Sequence, residues 1–91
     1  MSSKRDAPRV TFGSLVERGV VPAGTVLHDR LRRVRAVVAA DGTIVAGSLR
    51  GSIHQVGAAV QNVAACNGWN FWHIEHDGRL VAIDHLRETL R

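Results

Sequence analysis

The 91-residue sequence has a single cysteine, Cys66, so no disulfide can form within the chain. This sparing use of cysteine is typical of a reducing cytosol. The longest apolar run, residues 36–40, is far too short to cross a bilayer, and no signal peptide is recognisable. These absences predict a cytoplasmic protein without a membrane-spanning segment.

The sequence also lacks the residue patterns of common active sites and metal sites. No serine–histidine–acid or cysteine–histidine arrangement has a supporting motif, and paired cysteines with metal-ligand spacing are missing. His73 and His76 are close in sequence, but the pair straddles the end of a predicted strand. We therefore predict no catalytic residue and no metal site in this chain.

Lysine is nearly absent too, since eleven of the twelve basic residues are arginine and only Lys4 is lysine. The formal net charge is +4 and the isoelectric point is about 11.0. An arginine guanidinium is a planar fork of donors that binds phosphate at two points, so this charge favours a nucleic-acid partner. A GC-rich genome would produce the same arginine bias, and the charge alone leaves that alternative open.

Residues 1–9 are polar and without periodicity, which predicts a flexible lead-in or linker before a single domain at residues 10–91. Helical patterns cover residues 12–18, 53–63 and 85–90, and strand patterns cover residues 25–28, 33–38, 43–46, 69–75 and 79–82. Residues 47–51 are predicted to form a flexible glycine-containing loop. The expected fold class is α+β, a small antiparallel sheet of about four or five strands with about three short helices packed against it.

Short local motifs support these boundaries. Thr11 and Asp84 can cap the first and last helices, and Ser52 with Gln55 has the form of a capping box. The tight-turn signals are Asp41-Gly42, Asn67-Gly68 and Asp77-Gly78.

Two segments carry a more specific signal, namely Gly51-Ser52-Ile53-His54 and Cys66-Asn67-Gly68-Trp69-Asn70-Phe71-Trp72-His73. Together with residues 10–16, 22–25 and 83–87, they resemble the RAMA family, the restriction enzyme–adenine methyltransferase-associated domains. The similarity extends over residues 8–91. It is greatest to the C-terminal domain of the cell-cycle-regulated bacterial DNA adenine-N6 methyltransferases, which modify GANTC sites.

This resemblance implies a non-catalytic domain that binds and recognises DNA for a separate catalytic domain, with a homodimer formed through the full enzyme. S-adenosylmethionine would belong to the catalytic domain, so no cofactor is expected here. An adenine methyl-transfer site needs an Asp/Asn-Pro-Pro-Tyr/Phe motif, but Pro8 and Pro22 are the only prolines and tyrosine is absent. The chain is thus expected to be an excised domain or a free-standing relative, associated with the bacterial nucleoid in the cytoplasm.

The first predicted DNA contact lies where residues 47–51 lead into the second helix. Free backbone N–H groups and the positive end of the helix dipole favour a phosphate there, with Arg50 alongside and His54 in the first turn. The resemblance places Ser52 at a position linked to DNA binding. From spacing alone Ser52 is a plain helix cap, and both roles can hold together.

The second predicted contact is the aromatic string. Strand alternation places Trp72 with Ile74 in the core and leaves Trp69 on the other face, free to stack on a base or wedge into a distorted duplex. Asn67 offers the donor–acceptor pair that matches an adenine edge. The alternatives are that Trp69 is a core residue and Asn67 only a turn former, and the resemblance favours the functional interpretation.

Further predicted contacts are arginines. Alternation along the run of Arg30, Arg32, Arg33 and Arg35 leaves at least two of them exposed, and Arg33 and Arg35 are the predicted phosphate ligands, with a solvated face as the alternative. Arg87 matches a family position implicated in DNA contact, or is a plain surface residue. The rival functions are a protein-interaction module with an apolar patch around Trp69, and a stand-alone reader of modified DNA.

Overall fold

The computed structural model describes residues 11–88. The predicted lead-in at residues 1–9 and the end of the last predicted helix lie outside the described residues. The helices are α1 (Phe12–Glu17), α2 (Ile53–Gln61), α3 (Gly68–Phe71) and α4 (Asp84–Glu88). The strands are β1 (Val26–His28), β2 (Arg35–Val38), β3 (Ile44–Ala46), β4 (Leu49–Gly51), β5 (His73–His76) and β6 (Arg79–Ala82). Among these helices, none has the length and apolar character needed to cross a membrane.

The strands form one antiparallel sheet in the order β4-β3-β2-β1-β5-β6. The α+β class is confirmed. The expectation of about four or five strands and three helices is too low, because residues 11–88 contain six strands and four helices. Two segments account for this difference.

The first is the predicted loop at residues 47–51. Gly47, at φ 62°, and Ser48 make a two-residue turn, so the chain pairs back at once as β4, with Ala46 opposite Leu49 and Ile44 opposite Gly51. The loop prediction is therefore wrong. Leu49 and Arg50 are both exposed, and a strand without one buried face carries no alternation in its sequence.

The second is the predicted strand at residues 69–75. Asn67 begins a helical turn instead, because its side-chain oxygen accepts from the Trp69 N–H and its carbonyl accepts from the Phe71 N–H. This turn is α3, and the strand starts only at His73. In a helix, residues three apart share a face, so Trp69 and Trp72 both lie in the core. In the predicted strand the two side chains would have pointed to opposite faces of the sheet.

Several local predictions are confirmed. Thr11 caps α1, and both hydrogen bonds of the Ser52–Gln55 capping box are present. Asp77 and Gly78, at φ 54° and 80°, form the β5–β6 hairpin turn.

Two predicted helix boundaries differ from the structure. Helix α2 ends at Gln61, before the predicted residue 63, because Asn62 adopts a left-handed conformation at φ 58°. Asp84 is the first residue of α4 and not a residue preceding it.

The core lies between the helices and one face of the sheet. Along β2, Ala36 and Val38 are buried while Arg35 and Val37 are exposed. Trp72 is fully buried, which confirms its predicted core position, and its indole N–H donates to the Ile53 carbonyl at 3.0 Å. This bond ties the end of α3 to the start of α2. The twelve residues of the core cluster are Phe12, Leu15, Val21, Leu27, Ala36, Val38, Ile44, Ile53, Val56, Trp69, Trp72 and Ile83.

Candidate nucleic-acid interface

The start of α2 is built by a reciprocal cap. The Ser52 hydroxyl oxygen accepts from the Gln55 N–H at 3.0 Å, and the Gln55 side-chain oxygen accepts from the Ser52 N–H at 3.0 Å. A Cβ on Gly51 would lie 2.6 Å from that same Gln55 oxygen, so glycine leaves the room that the capping box needs. With its oxygen held by the backbone, the Ser52 hydroxyl retains a hydrogen to donate.

The start of α3 lies directly against the start of α2. The Gly68 N–H donates to Nδ1 of His54 at 2.9 Å, and a Cβ on Gly68 would come within 2.6 Å of the Ile53 carbonyl carbon and oxygen. Only glycine permits this approach. Because Nδ1 of His54 is an acceptor here, the neutral ring carries its proton on Nε2, and the residue is exposed. The sequence predicts a turn at Asn67-Gly68 and carries no signal for this contact.

Asn67 combines a structural and an outward-facing role. Its Oδ1 accepts from the Trp69 N–H at 3.0 Å, which orients the amide, while the residue as a whole is exposed. Its NH₂ group has no acceptor among residues 11–88. The predicted two-residue turn at Asn67-Gly68 is thus replaced by a helix cap that presents two donors to solvent.

Trp69 is a core residue, with 8% of its surface exposed. Its ring meets Phe12 edge-on at 6.3 Å between centroids and 71° between planes. The prediction that Trp69 lies exposed on a strand, free to stack on a base, is therefore wrong. The protein-interaction alternative placed an exposed apolar patch around Trp69, and the buried ring cannot be its centre. A contribution of Trp69 to DNA binding stays a prediction, now through the residues that it positions.

Arg87 covers the other side of the Trp69 indole. Its guanidinium carbon lies 4.6 Å from the ring centroid, a cation–π geometry, and its Nη2 is 2.6 Å from Oδ1 of Asp84. The side chain is 28% exposed, so Arg87 is half-buried and not a free surface arginine. Arg87 and Asp84 form an ion pair, but their atoms are not aligned for a hydrogen bond to Oδ1 of Asp84. Nε of Arg87 also has no hydrogen-bond partner in the described part of the chain.

Five of the eight predicted contact residues are therefore linked through the two adjacent helix starts and α4. We refer to them as the helix-start cluster: Ser52, His54, Asn67, Trp69 and Arg87.

The other three predicted residues lie outside this cluster. Arg50 is exposed on β4, and its Nη2 is 3.2 Å from Oδ2 of Asp41. Hydrogen bonds from Thr43, and then the Arg50 guanidinium, lower the pKa of Asp41 from 3.8 to about 2, so this partner stays ionised. Arg50 was expected in a loop beside the helix start. The loop position is wrong, because Arg50 lies on strand β4.

Arg33 lies near the far end of α2, and Arg35 lies on the sheet. Arg33 borders a shallow depression with Val60 and Gln61, and its side chain is 74% exposed, 4.0 Å from Asp29. Arg35 is exposed on β2, opposite His28, on the sheet face that the helices leave open. The predicted strand start at residue 33 is wrong, because residues 29–34 form a hydrogen-bonded loop.

Within residues 11–88, histidine, cysteine and acidic side chains do not gather in groups of three or more that could hold a metal ion. Cys66 is half-buried, and its sulfur accepts from the Gln61 side-chain amide at 3.3 Å.

Comparison with known proteins gives two findings. The family described as Restriction Enzyme Adenine Methylase Associated, or RAMA, matches residues 1–91. The chain is also 26% identical over 80 residues to the Type II methyltransferase M.HinfI of Haemophilus influenzae, and the alignment covers 88% of this chain and 22% of that protein. The chain thus spans about a fifth of the length of this relative. The match over the whole sequence shows that the chain belongs to the RAMA family.

Proposed function

We propose that this chain is a DNA-binding domain without catalytic residues of its own, which serves a DNA adenine-N6 methyltransferase. The observation that carries the proposal is the contact between the starts of α2 and α3, where the Gly68 N–H donates to His54, with Ser52 and Asn67 as the caps of the two helices. Family membership and the methyltransferase relative supply the biological setting. The net charge of +4 suits a polyanion.

The chemistry of this surface fits phosphate oxygens and base edges. The start of α2 contributes a partial positive charge, since its first backbone N–H groups lack intrahelical partners. The Asn67 amide offers two donors, and His54 offers Nε2–H. Such groups serve as backbone-positioning contacts, while the Asn67 amide can also read an adenine edge.

In this proposal the methyl transfer, with S-adenosylmethionine, takes place on a separate catalytic domain, and the full enzyme can dimerise. A duplex hides the adenine amine, so the target base has to leave the stack, at a cost of a few kcal/mol. A domain that holds the opened duplex offsets part of that cost. The proposed target sequence is GANTC.

The decisive test is Asn67→Asp in the full chain. Aspartate caps a helix as well as asparagine does, so the melting temperature should stay within about 2 °C. The outward donors become a carboxylate oxygen, which repels phosphate and cannot donate. We expect at least a tenfold loss of affinity for a GANTC duplex by fluorescence anisotropy, corresponding to about 1.4 kcal/mol.

Ala23→Asp provides the control, since it introduces the same negative charge at an exposed turn whose residues are not part of the helix-start cluster. It should weaken binding by less than about threefold, through the long-range field alone. Wild-type affinity should also fall steeply from about 50 to 200 mM salt. No binding at low salt, or equal losses in both variants, would contradict the proposal. A methylated duplex as a further probe tests whether the domain prefers modified DNA.

A second candidate, docking of another protein, has a different observation in its favour. Val26, Val37 and Val45 are cross-strand neighbours on the open face of the sheet, with Val26 38% and Val37 45% exposed. An exposed apolar row of this kind is typical of protein contacts. Light scattering of the chain with and without duplex separates the two, because docking of a second copy would raise the mass without DNA.

A further inference from the structure

The loop that joins β1 to β2, residues 29–34, is organised around one buried carboxylate. Oδ1 of Asp29 accepts from the Arg33 N–H at 2.5 Å and from the Val34 N–H at 2.9 Å. The Asp29 backbone closes the loop on both sides, since its N–H donates to the Val34 carbonyl and its carbonyl accepts from the Arg32 N–H. Asp29 is 6% exposed, and the loop it ties together is therefore held in one shape.

This fixed loop presents an apolar tip. Leu31 is 63% exposed, more than any other large hydrophobic residue of residues 11–88. The hydrogen bonds on either side of Leu31 fix the backbone of the loop, and Arg32 is held in the left-handed region at φ 60°. The arrangement keeps an apolar side chain in solvent at some cost in backbone strain.

Arginines surround this tip. Arg30 and Arg33 are exposed, and Arg32 lies 3.6 Å from Glu75 with 45% of its side chain exposed. Arg35 follows on the open sheet face. Within residues 11–88, the carboxylates paired with these four arginines are Asp29, which the loop backbone already binds, and Glu75. The tip therefore combines an apolar point with excess positive charge.

Those two properties together fit duplex DNA better than a protein pocket. Proteins that bend or open DNA insert apolar side chains such as leucine between base steps from the minor groove, while arginines bind the flanking phosphates. A protein partner would have to combine an apolar pocket with a strongly acidic rim.

We propose that residues 29–34 form a second DNA contact, in which Leu31 wedges against the bases from the minor groove and Arg30 and Arg33 bind phosphates on either side. This inference rests on the proposed DNA-binding function. The loop borders Val60 and Gln61 at the end of α2, whereas the helix-start cluster lies at its beginning. Nine residues of helix span about 13 Å, so the two contacts are separated by about the length of α2.

The test uses the full chain and a GANTC duplex in which 2-aminopurine is moved along the sequence, because its fluorescence rises when the base unstacks. We expect wild type to raise the fluorescence at one step, and Leu31→Ala to abolish that rise and to lower affinity about tenfold. Leu49→Ala is the matched control, since Leu49 is 37% exposed on β4. It should leave both signals near wild type. Arg30→Gln combined with Arg33→Gln should reduce the salt slope by about two.

The outcomes separate this inference from the proposed function. If wild type does not bind duplex at all, both fail together. If wild type binds and Asn67→Asp weakens binding, but Leu31→Ala equals Leu49→Ala or no base unstacks, the wedge alone is wrong. A Leu31→Ala variant that keeps full DNA affinity but loses association with a methyltransferase catalytic domain would overturn the wedge and assign the tip to protein docking.

Discussion

Replacing Gly68 by alanine should destabilise the protein strongly, although the change adds a single methyl group. A Cβ at this position would lie 2.6 Å from the carbonyl carbon and oxygen of Ile53 and 2.8 Å from its Cβ. Backbone atoms of a packed helix start cannot swing aside as a flexible side chain can. The backbone conformation of Gly68 is not left-handed, so the whole effect is steric.

The magnitude follows from what must move. Overpacking of this kind costs about 1–3 kcal/mol, and separating the helix starts stretches the Gly68–His54 bond, worth about 0.5–1.5 kcal/mol. A total of about 2–4 kcal/mol lowers the melting temperature of a domain this size by about 8–32 °C. Thermal and urea unfolding, followed by circular dichroism, measure the difference.

Gly13→Ala is the matched control, because a Cβ there meets only Oγ1 of Thr11, at 3.9 Å, and the residue lies in helix α1. This variant should be as stable as wild type or up to about 1 kcal/mol more stable. If Gly68→Ala melts within about 2 °C of Gly13→Ala, the two helix starts are not in contact. The surface proposed for DNA would then lose its structural basis.

Two further predictions concern stability. Burial raises the pKa of Asp29, but the Val34, Arg33 and Leu31 N–H groups outweigh it and lower the pKa below 3.8. Its stabilising effect is therefore present above pH 3.8 and is lost as pH falls through the lowered folded-state pKa, so the stability advantage of wild type over Asp29→Asn, measured by urea unfolding, should shrink from pH 6 to pH 3. Trp69→Ala should cost about 3–5 kcal/mol, since the indole is buried, while Trp69→Phe should cost clearly less; equal melting of Trp69→Ala and wild type would refute the core assignment.

The fold class and most turns could be predicted because they depend on local chemistry. Ser52 and Gln55 form a capping box wherever that spacing begins a helix, and Asp77-Gly78 needs only its own backbone conformation to make a hairpin. Strand β4 could not be predicted, because neither Leu49 nor Arg50 is buried and periodicity records only burial. Strand β4 lies at the edge of the sheet and is the sixth strand that the prediction lacked.

The geometry around the candidate residues could not be predicted from the sequence. Aromatic residues near His73 favour a strand by composition, and the cap from Asn67 overrode that preference over one turn. Because of this helical turn, Trp69 lies in the core and not on the surface as predicted. The contact that joins the site, Gly68 against Ile53, spans two segments distant in sequence, and such a contact leaves no periodic pattern.

The caps also decide what kind of partner this surface can bind. The oxygens of Ser52 and Asn67 each accept one backbone N–H of their own helix, and Nδ1 of His54 accepts from Gly68. The hydrogens that these side chains keep for a partner are those of a hydroxyl, an amide NH₂ and an imidazole Nε2–H, and Arg87 lies against the neighbouring Trp69. Free donors of this kind suit a partner that offers acceptors, and in the proposed function those acceptors are the phosphates and the purine edges of DNA.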